Sequence, residues 1–68
     1  SEAAEARKQA SRLARLKKEQ EELEAELDTL SAELYGDAAS DYVPAAEIQT
    51  RIDEIEERLM EIYEETEV

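Results

Sequence analysis

The residues best suited to chemistry are six bases crowded into the first 20 positions. They are Arg7, Lys8, Arg12, Arg15, Lys17 and Lys18. No acid interrupts residues 7–18, and clustered Lys and Arg side chains are what bind the phosphates of nucleic acid. Because helical spacing places Lys8, Arg12 and Arg15 on one face, the sequence predicts a short nucleic-acid contact segment.

The rest of the chain carries the opposite charge. Residues 21–68 hold 17 acids and two bases, a balance of −15, whereas residues 1–20 hold six bases and three acids, a balance of +3. The acidic part would repel a polyanion beside it. If the chain folds back on itself, residues 13–18 lie beside the acidic end, and the bases could instead neutralise acids of their own chain. The acids of that end are Glu56, Glu57, Glu61, Glu64, Glu65 and Glu67.

Runs of acids such as Glu21-Glu22 and Glu64-Glu65 have the oxygen ligands of a divalent-cation site but not its oxygen-rich loop. We expect a solvated helix face instead, and no metal. The pairs Glu47–Arg51 and Glu54–Arg58 have the i,i+4 spacing and the orientation that stabilise a helix.

Catalytic signatures are absent from the sequence. The chain has no His and no Cys, and its single Gly excludes a glycine-rich phosphate loop. Its many carboxylates have no apolar pocket that would divide acid and base roles between two of them. We therefore expect a non-enzyme that carries no cofactor of its own.

The bases belong to a predicted coiled-coil helix. Leucines alternate in steps of three and four with Gln20 in the single polar slot, which is the heptad pattern that faces a partner helix. This first seam consists of Leu13, Leu16, Leu23, Leu27, Leu30 and Leu34.

A second seam follows a cluster of helix-breaking residues. It consists of Ile48, Ile52, Ile55, Leu59 and Ile62, with Thr66 at the next position. In the cluster, Gly36 suits a left-handed helix end and Pro44 suits a first helical turn. Helix two could begin near Ser40, the better N-cap, or at Pro44.

Equal seam lengths and a short connection predict an all-α fold, a two-helix antiparallel coiled-coil hairpin. Helix one should cover residues 3–35 and helix two residues 44–66, with a loop at 36–43 and the hairpin proper at 13–68. Residues 1–12 form a helical basic overhang that should fray, because they have no partner helix.

Four large side chains lie beside the seams. Tyr35, Tyr42, Met60 and Tyr63 could widen the hairpin's own interface or form an outward protein-contact patch, which would allow a weak homodimer. No stretch has the length of a membrane span or the features of a signal peptide. We expect a cytoplasmic location, and the opening Ser1-Glu2 suggests a piece of a longer protein.

The run ELDTLSAELYGDAASDYVPAAEIQTRIDEIEERLMEIYEETE (residues 26–67) resembles the C-terminal coiled-coil domain of ABC-F ATPases, and in particular of Uup-like members. The shared features are Leu34-Tyr35 at the end of helix one, Asp41-Tyr42 in the loop and a closing aromatic-Glu-x-Trp-Glu stretch, with Thr66 at the Trp position. The lead-in EARKQASRLARLKK (residues 5–18) is similar to the segment joining the second ATPase domain to this hairpin.

The resemblance implies an accessory domain of an ATPase that acts on ribosomes or nucleic acid. ATP would be bound by ATPase domains of the parent protein, and the partners would be DNA, ribosomal RNA or the ribosome. In Uup-like members the domain is associated with DNA binding. Two other readings stay open, a protein–protein or self-association module and a tRNA-binding arm, although such arms tend to be basic.

Overall fold

The computed structural model describes residues 1–36 and 43–67, which form two α-helices and no strand. Helix α1 runs Glu2–Tyr35 and helix α2 runs Ala45–Thr66. Both consist mainly of Ala, Leu, Ile, Glu, Lys and Arg, most of which favour the helix. The predicted all-α helical hairpin is confirmed, and the molecule measures 55 × 16 × 16 Å.

The helix ends lie within one residue of their predicted positions. Helix α1 begins one residue early because the Ser1 side chain caps it, accepting a hydrogen bond from the Ala4 N–H at 3.2 Å. Helix α2 begins at Ala45, and Pro44 is its N-cap rather than its first helical residue. The alternative start near Ser40 lies outside the described residues.

Gly36 ends α1 by a different geometry from the predicted one. Its backbone is extended, with φ −96° and ψ 172°, and is not left-handed. Its N–H donates to the Ala32 carbonyl at 2.8 Å, and a Cβ at this position would collide with that same oxygen. Close approach of the backbone, rather than positive φ, is therefore the reason for glycine here.

The core is a single apolar seam, and the two helices contribute to it unequally. All five seam residues of α2 are buried, and Ile55 and Ile62 have no exposed surface. On α1 only Leu16 is buried, while Leu13 remains 36% exposed. The other seam residues of α1 are half-buried: Gln20, Leu23, Leu27, Leu30 and Leu34.

Gln20, the polar seam residue, is satisfied within its own helix. Its side-chain amide donates to Glu24 at 2.8 Å, so it adds no unpaired buried group to the seam. No buried side-chain polar atom in the described part of the chain lacks a partner. Neither described helix contains an apolar stretch long enough to cross a membrane.

Candidate functional site

Ion pairs close one side of the hairpin. If the seam residues are the a and d positions of a heptad, the paired residues all occupy position g, and we call this side the g flank. Arg58 holds the Glu19 carboxylate in a two-pronged bridge, with Nε and Nη2 at 2.7 and 2.9 Å from the two oxygens. Arg51 holds Glu26 with the same two distances.

A third pair continues the same flank towards the end of α2. Arg12 Nη2 lies 3.2 Å from Glu65 Oε1. Each successive pair is seven residues further along α1 and seven residues back along α2, which is the pattern of an antiparallel coiled coil. The hydrogen bonds from Arg58 and Arg51 lower the pKa of Glu19 and of Glu26, respectively, and each Arg pKa is raised in turn.

These pairs correct the sequence-based assignment of Arg51 and Arg58. The expected i,i+4 partners were Glu47 and Glu54, but both guanidinium groups reach across to α1. Their contacts within α2 are at i,i+3 instead, Arg51 to Glu54 at 3.4 Å and Arg58 to Glu61 at 3.6 Å. A bidentate Arg–carboxylate bridge is stronger than a single exposed pair, which favours the cross-helix geometry.

The six bases of the N-terminal segment divide into two groups. Arg12 is paired with Glu65 across the helices, whereas the neutralisation hypothesis concerned the bases of residues 13–18. Lys8 lies 3.9 Å from Glu5 within α1, and both side chains are about three-quarters exposed. Arg7, Arg15, Lys17 and Lys18 are exposed and form no ion pair with a described acid. Cross-helix neutralisation therefore applies to one base of the six.

Four of the bases line one shallow strip on α1, namely Arg7, Lys8, Arg12 and Arg15. This strip includes the predicted face of Lys8, Arg12 and Arg15. Lys17 and Lys18 are outside the strip, although all six bases fall within about 16 Å along the helix axis. The carboxylate of Glu5 also lines the strip, so its positive charge is not uniform.

On the opposite side of the hairpin, which we call the e flank, the described residues form no such ladder of bridges. Its heptad e positions include Glu24 of α1 and Tyr63 of α2, whose hydroxyl donates to a Glu24 carboxylate oxygen at 3.4 Å. Partial burial and the Glu24 carboxylate raise the pKa of Tyr63. Met60 is adjacent and 65% exposed, and Tyr63 is 38% exposed.

Of the four predicted contact residues, three are described by the structure, and they do not share one surface. Met60 and Tyr63 share a depression on the e flank with Leu27, a seam residue that sequence reasoning did not assign to this surface. Tyr35 is 78% exposed at the end of α1 and is not part of that depression. Tyr42 lies outside the described residues. Met60 and Tyr35 therefore do not widen the hairpin's own seam.

Within residues 1–36 and 43–67, no group of three or more acidic side chains is placed to hold a metal ion. Comparisons with protein-family models, curated proteins and solved structures find no match for this chain. The resemblance to the ABC-F C-terminal domain therefore depends on the sequence features alone.

Proposed function

We propose that this hairpin is a non-catalytic accessory coiled coil that contacts the phosphate backbone of nucleic acid through its basic N-terminal segment. The supporting observation is that Arg7, Arg15, Lys17 and Lys18 are exposed and unpaired with any described acid. Side chains that are not already held by carboxylates can exchange counterions for phosphates at little cost.

The lengths of the helices separate two of the six bases, Arg7 and Lys8, from most of the acidic charge. Helix α2 ends at Thr66, and Glu65 is opposite Arg12. Residues 2–10 of α1 therefore extend past Thr66, the described end of α2, whereas Arg15, Lys17 and Lys18 lie beside α2. A phosphate backbone lying along this overhang would approach Arg7 and Lys8 without lying beside the acids of α2, which reduces the repulsion expected from a net charge of −12.

The resemblance to ABC-F ATPases supports a more specific version of the proposal. In that version the hairpin is the C-terminal accessory domain of a cytoplasmic ATPase, and the ATP-binding domains belong to the parent protein. The basic segment then binds DNA, ribosomal RNA or the ribosome, as an accessory to those ATP-binding domains.

The direct test is a titration of the chain with duplex DNA and with structured RNA, followed by backbone amide shifts at low and physiological salt. We expect shifts confined to residues 7–18 that disappear as the salt concentration rises, because phosphate binding releases counterions. Absence of shifts at low salt, or shifts that are insensitive to salt, would refute the proposal.

Two matched substitutions make this test more specific. Arg12 and Arg15 are both arginines, three positions apart, but Arg12 is ion-paired with Glu65 and Arg15 has no described acidic partner. Arg15→Gln should reduce the slope of log affinity against log salt by about one, the effect of losing one phosphate contact. Arg12→Gln should reduce it less, because Arg12 is held by Glu65. Equal effects would mean that the ion pair does not restrain Arg12 in solution.

A second function, protein binding, is favoured by the exposure of Met60 and Tyr63 on the e flank. This surface is separate from the basic strip, whose bases all lie on α1. The two functions can therefore be tested independently of one another.

A further inference from the structure

The e flank contains an apolar groove between the two helices. It has a volume of about 440 Å³ and is lined by Leu27, Glu56, Glu57, Leu59, Met60 and Tyr63. Leu27 reaches it from α1, and the other five come from α2. Because side chains of both helices form its walls, the groove has the shape that a third helix can occupy.

The floor of the groove is apolar because the seam of α1 is incompletely covered. Leu59 is 5% exposed, whereas Leu27, on the facing helix, is only half-buried. Met60 adds a flexible side chain that is 65% exposed and adapts to different apolar partners. An apolar surface of this kind, rimmed by polar residues, is typical of protein-interaction sites.

The rim of the groove is acidic. Glu56 and Glu57 line it directly, and Glu24 reaches the Tyr63 hydroxyl at 3.4 Å. The two bases of α2 do not neutralise this rim, because Arg51 and Arg58 are held by Glu26 and Glu19 on the g flank.

One base of α1, Lys17, shares the e flank with this acidic rim. Lys17 occupies the e position one heptad before Glu24, about 10 Å away along the helix axis. The negative charge of the groove is therefore offset only at its end towards the N-terminal segment. A partner of positive charge would be attracted to the remainder.

From this combination we infer that the e-flank groove binds a basic amphipathic helix of another protein. Apolar residues of that helix at i, i+3 or i+4 spacing would cover Leu27, Met60 and Tyr63. Its Lys or Arg side chains would meet Glu56, Glu57 and Glu24. Face-to-face pairing with the e flank of a second copy is disfavoured, because the same carboxylates would then face one another.

Met60 provides a specific probe, because it is the only methionine of the chain. A sample with isotope-labelled methionine methyl groups gives a single signal, which reports directly on the groove. The test ligand is a synthetic Leu–Lys helical peptide of about five turns, with leucines at i, i+3 and i+4 spacing. One matched peptide replaces every Lys with Glu, and another replaces every Leu with Ala.

We expect the Leu–Lys peptide to shift the Met60 methyl signal to saturation, and neither matched peptide to do so at the same concentration. Equal binding of the Ala–Lys peptide would mean that the interaction is only a general attraction between opposite charges. Equal binding of the Leu–Glu peptide would eliminate the acidic rim as a determinant. Either result would overturn the inference.

Substitutions at exposed positions test the location of binding without removing the buried core. Tyr63→Ser should weaken binding of the Leu–Lys peptide roughly tenfold, as for loss of an aromatic anchor. Tyr35→Ser is the control, because Tyr35 is exposed but outside the groove, and it should leave the affinity unchanged. Equal weakening by both variants would overturn the inference.

A second copy of this chain is the remaining competitor for the groove. Its basic N-terminal helix could enter the groove in a head-to-tail arrangement. If the Met60 signal shifts when the protein alone is concentrated, and Tyr63→Ser abolishes that shift, the groove belongs to a self-association interface and the proposed foreign partner is wrong. A Met60 signal independent of protein concentration supports the proposal.

Discussion

Two carboxylates on the g flank, those of Glu19 and Glu26, have lowered pKa values, and Arg58 and Arg51 are the cause. The pKa values of Glu19 and Glu26 lie below the ordinary value of 4.5 because each carboxylate accepts two hydrogen bonds from a guanidinium group. Both pairs are about 40% exposed, so solvent screens part of their strength.

This difference makes a pH-dependent contribution to stability. A carboxylate whose pKa is lower in the folded chain stabilises the fold above its unfolded-state pKa, and this contribution is lost as pH falls through the folded-state pKa. We expect the difference in unfolding free energy between the wild type and Glu19→Gln/Glu26→Gln to be constant near neutral pH. This difference should shrink as the pH falls below 4.5, the ordinary pKa of a glutamate side chain.

Thermal unfolding followed by circular dichroism across a pH series measures this difference. The difference, rather than wild-type stability alone, is needed because protonating the remaining acids relieves their mutual repulsion and has the opposite sign. Glu22→Gln/Glu64→Gln is the control, since neither carboxylate pairs with a described base. A difference that persists unchanged through the acidic range would mean that the bridges do not stabilise the folded chain.

For Arg51 and Arg58, the sequence pattern predicted ion pairing but gave the wrong partner acids. Arg51 and Arg58 were assigned to acids of their own helix, because i,i+4 spacing is visible within one segment. Their cross-helix partners depend on how α1 and α2 are aligned. The seven-residue spacing of Arg12, Glu19 and Glu26 was a signal that could have identified the flank.

At the scale of the helices, the heptad pattern together with Gly36 and Pro44 placed the ends of both helices within one residue. It could not give the conformation of Gly36, because a helix can end through either a left-handed or an extended residue. It also could not give the unequal burial of the two seams, which depends on how the facing side chains interdigitate. The groove beside Leu27 is a consequence of that inequality.

The geometry of Gly36 leads to a prediction about helix termination. Gly36→Ala should destabilise the hairpin by about 1 kcal/mol or more, because the new Cβ would meet the Ala32 carbonyl oxygen and this cost exceeds the gain in chain entropy. Urea unfolding monitored by circular dichroism gives the value. Thr50→Ala, on an exposed face of α2, is the control and should be neutral or slightly stabilising.

The opposite result at Gly36 would also be informative. A stabilised Gly36→Ala variant would refute the prediction, because it would show that the Ala32 carbonyl can move away from the new Cβ at little cost.

For the molecule as a whole, the outstanding feature is that α1 has 34 residues and α2 has 22. The Ser1 cap supports the far end of α1, but residues 2–10 extend past Thr66, the last described residue of α2. A helical segment of this length is marginal in water without packing. The sequence predicted this overhang, and its fraying stays a prediction.

Hydrogen exchange of backbone amides tests the fraying. We expect fast exchange through residues 5–11 and slow exchange around Ile55 and Ile62, whose side chains are fully buried, because local opening requires little energy where no tertiary contact is lost. Measurements at several protein concentrations separate fraying from self-association. Uniform protection along α1 in dilute solution would refute the prediction.

The order of charges on the g flank also has a consequence for misalignment of the hairpin. If α2 slid by one heptad towards the loop end, Glu19 would face Glu65. If it slid the other way, Arg12 would face Arg58. Either slip replaces an attractive pair with a repulsive one, although the apolar residues of the seams would still match. The three bridges therefore favour one alignment of two otherwise repetitive helices, because no slip by one heptad keeps every facing pair attractive.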